Sequence, residues 1–167
     1  HLETERGRHL MRLELRALAT AMLSNGRARR DATKDALGFR IARLASFAEA
    51  PSAEASLDRN EGLAAYTGVR LGAGDQDHLF VARTLNAYDQ QQSLARSYAY
   101  ASGPAYGLLL DQYAPNWRAS WRPGPRRTCS LVRCAFVKCA IATSYAGPNA
   151  MAGRKSWRRS AIARRRS

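Results

Sequence analysis

The sequence predicts an all-α protein, a bundle of about five helices in residues 1–118 followed by a basic tail in residues 119–167. Apolar residues recur at three- and four-residue steps through most of the first 118 positions, which is typical of amphipathic helices. No stretch shows the two-residue alternation of a strand, and no segment is repeated. Composition changes sharply near residue 118, because all 13 acidic residues lie between Glu3 and Asp111.

The first two helices are predicted over residues 8–24 and about 28–49. Asn25-Gly26 ends the first helix, since glycine tolerates the left-handed conformation found at helix ends. Pro51 follows the second helix. Their apolar stripes are Leu10, Leu13, Ala17 and Met22 in the first, and Leu37, Ile41, Leu44 and Ala48 in the second.

Three further helices are predicted over about 52–71, about 77–101 and 104–113. The stretch LGAGD at 71–75 ends the third helix, and Pro104 is expected to break or kink the fourth. Proline is permitted in the first turn of a helix, so Pro104 can also begin the fifth. The connections are short, as in a helical bundle.

The tail, residues 119–167, holds 12 Lys or Arg and no acid, whereas residues 1–118 hold 15 Lys or Arg against 13 acids. The net charge of +14 therefore belongs almost entirely to the tail, which excludes a uniformly basic nucleic-acid-binding domain. The chain has no run of about 18 apolar residues, so we expect no transmembrane helix. The three cysteines lie at five-residue intervals in the tail, which is a weak metal pattern.

We expect the tail to be disordered, and its sequence has three interpretations. Its arginines, among them Arg158, Arg159, Arg164, Arg165 and Arg166, can bind the phosphates of a nucleic acid. They can also bind anionic lipid. The third interpretation is a frameshift, because a GC-rich gene read out of frame yields Arg, Ala, Gly, Pro and Ser with almost no acid. The sequence favours the frameshift, then nucleic acid, then lipid.

The segment RNEGLAAYTG at 59–68 carries the candidate chemistry. Glu61 lies among small residues on one predicted helix face, and a carboxylate on a packed face needs a cation or an ion-pair partner. Gly62 costs a helix about 1 kcal/mol relative to alanine, which the close approach of another backbone would explain. Two other interpretations, an exposed Glu61 in an Asn-Glu-Gly turn and a Glu61–Arg ion pair, are favoured by spacing alone.

Two segments resemble those of the gluzincins, zinc metallopeptidases of the thermolysin and aminopeptidase type. Residues 60–66 (NEGLAAY) resemble their N-E-G-[FLM]-A-x-Y segment, and residues 100–106 (YASGPAY) are similar to the Y-x-x-G-A segment of the aminopeptidase type. The resemblance implies a peptidase in which Glu61 is the third protein ligand of zinc and Tyr100 stabilises the oxyanion. Asn60 would then cap or orient this segment.

The family's other two zinc ligands are the histidines of an upstream H-E-x-x-H helix, and this chain has no such motif. Its histidines are His1, His9 and His78. Residue 1 is not methionine, so we expect a fragment, the C-terminal part of a catalytic domain whose preceding segment is missing. The parent protein would bind zinc and a peptide substrate, whereas this chain would neither hold zinc tightly nor turn over substrate.

Two alternatives to the peptidase fragment stay open. One is a helical protein that binds nucleic acid through its Arg-rich C-terminal arm. The other is a structural helical domain of unknown role. Several smaller features have ordinary explanations: His78 is expected to be a solvated or capping residue, and HLETERGRHL at 1–10 a solvated helix start. Asp58 and Arg59 are either partners of Glu61 or plain surface charge.

Overall fold

The computed structural model describes residues 1–120, and every regular element in that range is helical. The all-α prediction is therefore confirmed for this part of the chain. The elements are α1 (Glu5–Leu23), α2 (Gly26–Ser46), α3 (Ala50–Leu57), a π-turn (Asp58–Gly62), α4 (Leu63–Gly72), a 3₁₀ turn (Gly74–Gln76), α5 (Asp77–Asp89), α6 (Tyr98–Tyr113) and α7 (Trp117–Ser120).

Helices α1 and α2 form a hairpin joined by only two residues. The Thr4 hydroxyl caps α1 by accepting a hydrogen bond of 3.1 Å from the Gly7 amide. The apolar face of α1 is buried against α2 and α5, and it includes Met11, Leu15, Leu18 and Met22. The pair thus forms one side of the bundle, and their predicted bounds are close to those observed. Leu10, Leu13 and Ala17 of the expected apolar stripe are only partly buried, so the buried face of α1 is rotated from the predicted one.

The buried face of α2 differs from the prediction. Ile41, which belonged to the expected apolar stripe, is 51% exposed, whereas Arg40 and Arg43 are buried. The two arginines share that face with Ala36 and Leu37. The spacing of apolar residues did not identify this face, because the face contains two arginines. Acidic side chains on neighbouring helices stabilise them there.

Residues 50–72 are helical throughout, close to the single helix predicted over about 52–71. The π-turn at Asp58–Gly62 divides this segment into α3 and α4. The amide of Leu63 donates a hydrogen bond to the carbonyl of Asp58, five residues earlier rather than four. The π-turn widens the helix by one residue and so changes which side chains face inward before and after it.

The predicted fourth helix, 77–101, is wrong at residues 90–97, although residues 98–101 are helical as the first turn of α6. The chain leaves α5 after Asp89 and begins α6 at Tyr98, and Leu94 is fully buried in the connection. Pro104 lies inside α6 and does not end it. Every residue from 101 to 110 is buried, so packing around α6 offsets the roughly 3 kcal/mol that an internal proline costs a helix.

Helix α6 is the central element, in contact with α4, α5 and the π-turn. Two glycines of α6 allow this close packing. A Cβ added to Gly103 would lie 2.3 Å from Gly62 Cα, and a Cβ added to Gly107 would lie 2.0 Å from the Tyr66 ring. Among residues 1–120, no helix has both the length and the apolar character needed to cross a bilayer.

Candidate functional site

Glu61 lies in the π-turn and is partly exposed. The next residue, Gly62, packs directly on α6, where an added Cβ would be 3.3 Å from Gly103 Cα. The expectation that a neighbouring backbone approaches Gly62 is therefore confirmed. This contact places Glu61 beside the first turns of α6.

Tyr100, in the first turn of α6, donates a hydrogen bond from its hydroxyl to Glu61 Oε2. The tyrosine is 43% exposed. The hydrogen bond to Glu61, together with partial desolvation, raises the pKa of Tyr100 above its ordinary value. The structure thus brings together two residues that are 39 positions apart and that the sequence assigned to one site.

The remaining members of the predicted site are less engaged. Asn60 is exposed, and the hydrogen bond that holds Glu61 comes from Tyr100 rather than from this neighbour. Tyr98 and Tyr106, on the same helix as Tyr100, are buried, whereas Tyr100 is exposed. They contact the Glu54 carbonyl and the Glu14 carboxylate, respectively.

The histidines lie elsewhere. His1 Nε2 is 2.8 Å from Glu54 Oε1, and His78 Nδ1 is 2.7 Å from Asp77 Oδ1. His9 is exposed on α1. Within residues 1–120, no three His, Cys, Asp or Glu side chains are arranged to hold a metal ion. Glu61 is accordingly a single potential ligand rather than part of a complete site.

A cleft of about 460 Å³ opens beside this pair, between α4, α5 and α6. Tyr100 and Ala65, which follows Glu61 by four residues, form part of its wall. The rest of the lining is mainly small or apolar, and includes Gly68, Val69, Phe80, Val81 and Pro104. The cleft is therefore mainly apolar and includes Tyr100 in its wall, whereas Glu61 is not among its lining residues.

A buried cluster of five charged side chains lies behind the π-turn: Glu14, Arg40, Arg43, Glu54 and Asp58. Arg43 pairs with both Glu54 oxygens, at 2.7 and 2.8 Å, and approaches Glu14 Oε2 at 2.6 Å. The last contact is poorly aligned for a hydrogen bond and acts as an ion pair. Arg40 pairs with Asp58 and, at 3.2 Å, with Glu14.

Sequence reasoning missed this cluster, although a signal for it exists. Arg40 and Arg43 are three residues apart, and Glu54 and Asp58 are four apart, so each pair lies on one helix face. Opposite charges at helical spacing on two successive helices predict a buried ion-pair layer when one partner falls within an apolar face. The alternative that Asp58 is surface charge is wrong.

Burial raises the pKa of Asp58 to about 6, against the opposing effect of Arg40; Glu54 and Glu14 add to the rise. Desolvation of Asp58, with the repulsion of the nearby Glu54 and Glu14 carboxylates, is the physical reason for proton uptake near pH 6.

Lowering the pH from 7 to 5 is expected to stabilise the fold by about 1 kcal/mol through Asp58. The pKa is higher in the folded protein than the unfolded value of about 3.9, so folding takes up a proton between these pH values. The stabilisation is complete below the unfolded pKa and is lost as the pH rises through 6. Urea unfolding at pH 5, 6 and 7 measures it, with Asp58→Asn as control. A difference between the two proteins that does not vary with pH would contradict the prediction.

The cysteines and the tail arginines Arg158, Arg159, Arg164, Arg165 and Arg166 lie outside the described residues. Comparison with protein-family models, curated proteins and solved structures finds no match to this chain. The functional argument therefore depends on the residues themselves, and above all on the contact between Glu61 and Tyr100.

Proposed function

We propose that residues 1–118 form one side of the active site of a gluzincin-like zinc peptidase, with Glu61 as a metal ligand and Tyr100 as the oxyanion stabiliser. The observation that carries the proposal is the hydrogen bond between the two side chains, at the edge of an open cleft. The resemblance assigned these two residues to one site, and the packing of Gly62 on α6 brings their side chains into contact.

In this proposal, each residue acts through a specific atom. The Tyr100 hydroxyl is a hydrogen-bond donor on a partly exposed side chain, which suits it to the negative charge that develops on a substrate carbonyl oxygen. Like an ordinary tyrosine, Tyr100 is protonated and able to donate at neutral pH. Glu61 offers carboxylate oxygens beside Tyr100, and a bound zinc ion would supply the Lewis acidity for water attack.

The described residues fit one zinc ligand and not a complete site. Two further ligands, proposed as the histidines of an H-E-x-x-H helix, have to come from residues outside this chain. The cleft is a suitable place for that helix, because Ala65 and Gly68 allow a neighbouring backbone to approach closely. The chain as it stands is therefore proposed to be inactive and to bind zinc weakly.

The deciding experiment is to read the DNA upstream of this frame and to express the longer product. We expect an encoded H-E-x-x-H motif, one zinc ion per protein, and hydrolysis of peptides. Glu61→Gln should weaken zinc binding by at least about 100-fold, since even residues behind the ligands cost about 10–100-fold. Tyr100→Phe should keep the zinc but lower kcat by about 10²–10³-fold. The absence of a histidine pair upstream would refute the proposal.

The second candidate function, nucleic-acid binding through the tail, is favoured by the segregation of charge: residues 119–167 carry 12 positive charges and no acid. Binding of a fluorescent RNA or DNA oligonucleotide would then weaken steeply with salt, by about 10³-fold or more between 50 and 200 mM. Deletion of residues 119–167 should abolish it. No binding by the full chain at low salt would leave a structural helical domain as the remaining alternative.

A further inference from the structure

We infer that Arg40 and Asp58 are positioning residues for Glu61, which they hold in place through the π-turn. Neither residue is within the Glu61–Tyr100 contact itself. The importance of the inference for catalysis rests on the proposed function, but its structural content can be tested in this chain without zinc.

The geometry of the π-turn separates Asp58 from Glu61. Residues three apart on an ordinary α-helix lie on the same face, so Asp58 and Glu61 would point in similar directions. The i→i+5 hydrogen bond from Leu63 to Asp58 widens the turn and separates the two carboxylates. Asp58 is buried in the charged cluster, whereas Glu61 is partly exposed beside Tyr100.

Asp58 is held by an ion pair at the start of the π-turn. Its carboxylate pairs with Arg40, which also contacts Glu14 on α1 at 3.2 Å and Glu54 on α3 at 3.7 Å. The Arg40 guanidinium packs over the Tyr106 ring at 5.4 Å. Since Tyr106 and Tyr100 are both on α6, Arg40 connects the start of the π-turn to the helix that carries Tyr100.

The other end of the π-turn is held by a backbone contact with α6. Gly62 packs closely against Gly103: a Cβ added at Gly103 would lie 2.3 Å from Gly62 Cα, and one added at Gly62 would lie 3.3 Å from Gly103 Cα. Glu61 is therefore located between an ion pair at Asp58 and a backbone contact at Gly62, and both lead to α6. If the ion pair is removed, the turn can relax to ordinary α-helical geometry, and Glu61 rotates away from Tyr100.

The test is the ¹³Cζ resonance of Tyr100 at pH 7, followed by NMR with ¹³C-labelled tyrosine and assigned with Tyr100→Phe. In the wild-type chain, the hydrogen bond that the Tyr100 hydroxyl donates to Glu61 should shift this resonance. Glu61→Ala removes this shift and sets the reference. Asp58→Asn should remove it as well, although Asp58 is not a partner of Tyr100.

A matched control separates positioning from general stability. Asp89→Asn also neutralises a buried, ion-paired aspartate, but this residue joins α5 to α1 through Arg16 at 2.9 Å. It should lower stability while Tyr100 keeps its shift. Arg40→Lys is the milder second variant, because a lysine keeps the charge without the fork that reaches Asp58 and Glu14 together. Partial loss of the shift is expected there.

An unchanged Tyr100 resonance in folded Asp58→Asn and Arg40→Lys would overturn the inference. So would the failure of both variants to fold, which would assign the cluster to stability alone. Failure of the proposed function looks different, since the longer product would then lack zinc while the Tyr100 shift still depended on Asp58.

Discussion

Arg43→Met is expected to lower the free energy of unfolding by about 3–5 kcal/mol, the largest effect of any single substitution considered for this chain. Arg43 is fully buried and pairs with both oxygens of Glu54 and with Glu14. Its removal leaves three buried carboxylates, Glu14, Glu54 and Asp58, with Arg40 as the one arginine of the cluster to compensate them. Because domains of this size are stable by about 5–15 kcal/mol, a substantial fraction of the stability would be lost. Urea denaturation followed by circular dichroism measures the change.

The matched control for this prediction is Arg27→Met on the same helix. Arg27 is 89% exposed and lies 3.5 Å from Asp31 in an i,i+4 pair, an arrangement that contributes little in water. We expect a change within about 0.5 kcal/mol. Should Arg43→Met cost no more than Arg27→Met, the buried cluster would be replaceable by apolar packing.

Gly103→Ala is expected to destabilise the fold by about 1–3 kcal/mol or more, the cost of overpacking a tight core. An alanine Cβ at this position would lie 2.3 Å from Gly62 Cα and 2.5 Å from Gly62 O. Both atoms are backbone, so no side chain can rotate out of the way, and α6 must move from the π-turn. Chemical denaturation gives the loss, and the Tyr100 resonance should shift because its helix has moved.

Gly38→Ala makes the same change where there is room and should have the opposite sign. Gly38 is exposed within α2, and no atom lies within 4 Å of its added Cβ. Alanine favours helix over glycine, so a stabilisation of up to about 1 kcal/mol is expected. If Gly103→Ala were as well tolerated as Gly38→Ala, the close approach of α6 to the π-turn would be wrong.

The sequence predicted the helices well where local signals agreed. The positions of α1 and α2 follow from apolar spacing and from Asn25-Gly26 between them. The helix prediction failed at residues 90–97. Leu94 continues the apolar spacing of α5 in the sequence, but in the structure it is buried in an irregular connection. Pro104 misled in the same way, since its local cost is visible in the sequence and the compensating burial of α6 is not.

The candidate site was also only partly accessible from the sequence. Glu61 and Tyr100 were identified through their resemblance to a family, and Gly62 through its cost in a helix. Their contact, and the cleft beside them, required the fold. The π-turn could not be predicted from the sequence, because it depends on the tertiary contacts that Asp58 and Gly62 make with two different neighbours.

The sequence by itself determined that residues 1–118 are helical and that positive charge is concentrated after them. These properties depend on local spacing and composition, which each segment carries with it. Only the tertiary structure decided that Arg40 and Arg43 are buried, that the helix widens at Asp58, and that Tyr100 reaches Glu61. A charged side chain can be buried only when partners of opposite sign arrive from other helices, and that arrival is a property of packing rather than of any one segment.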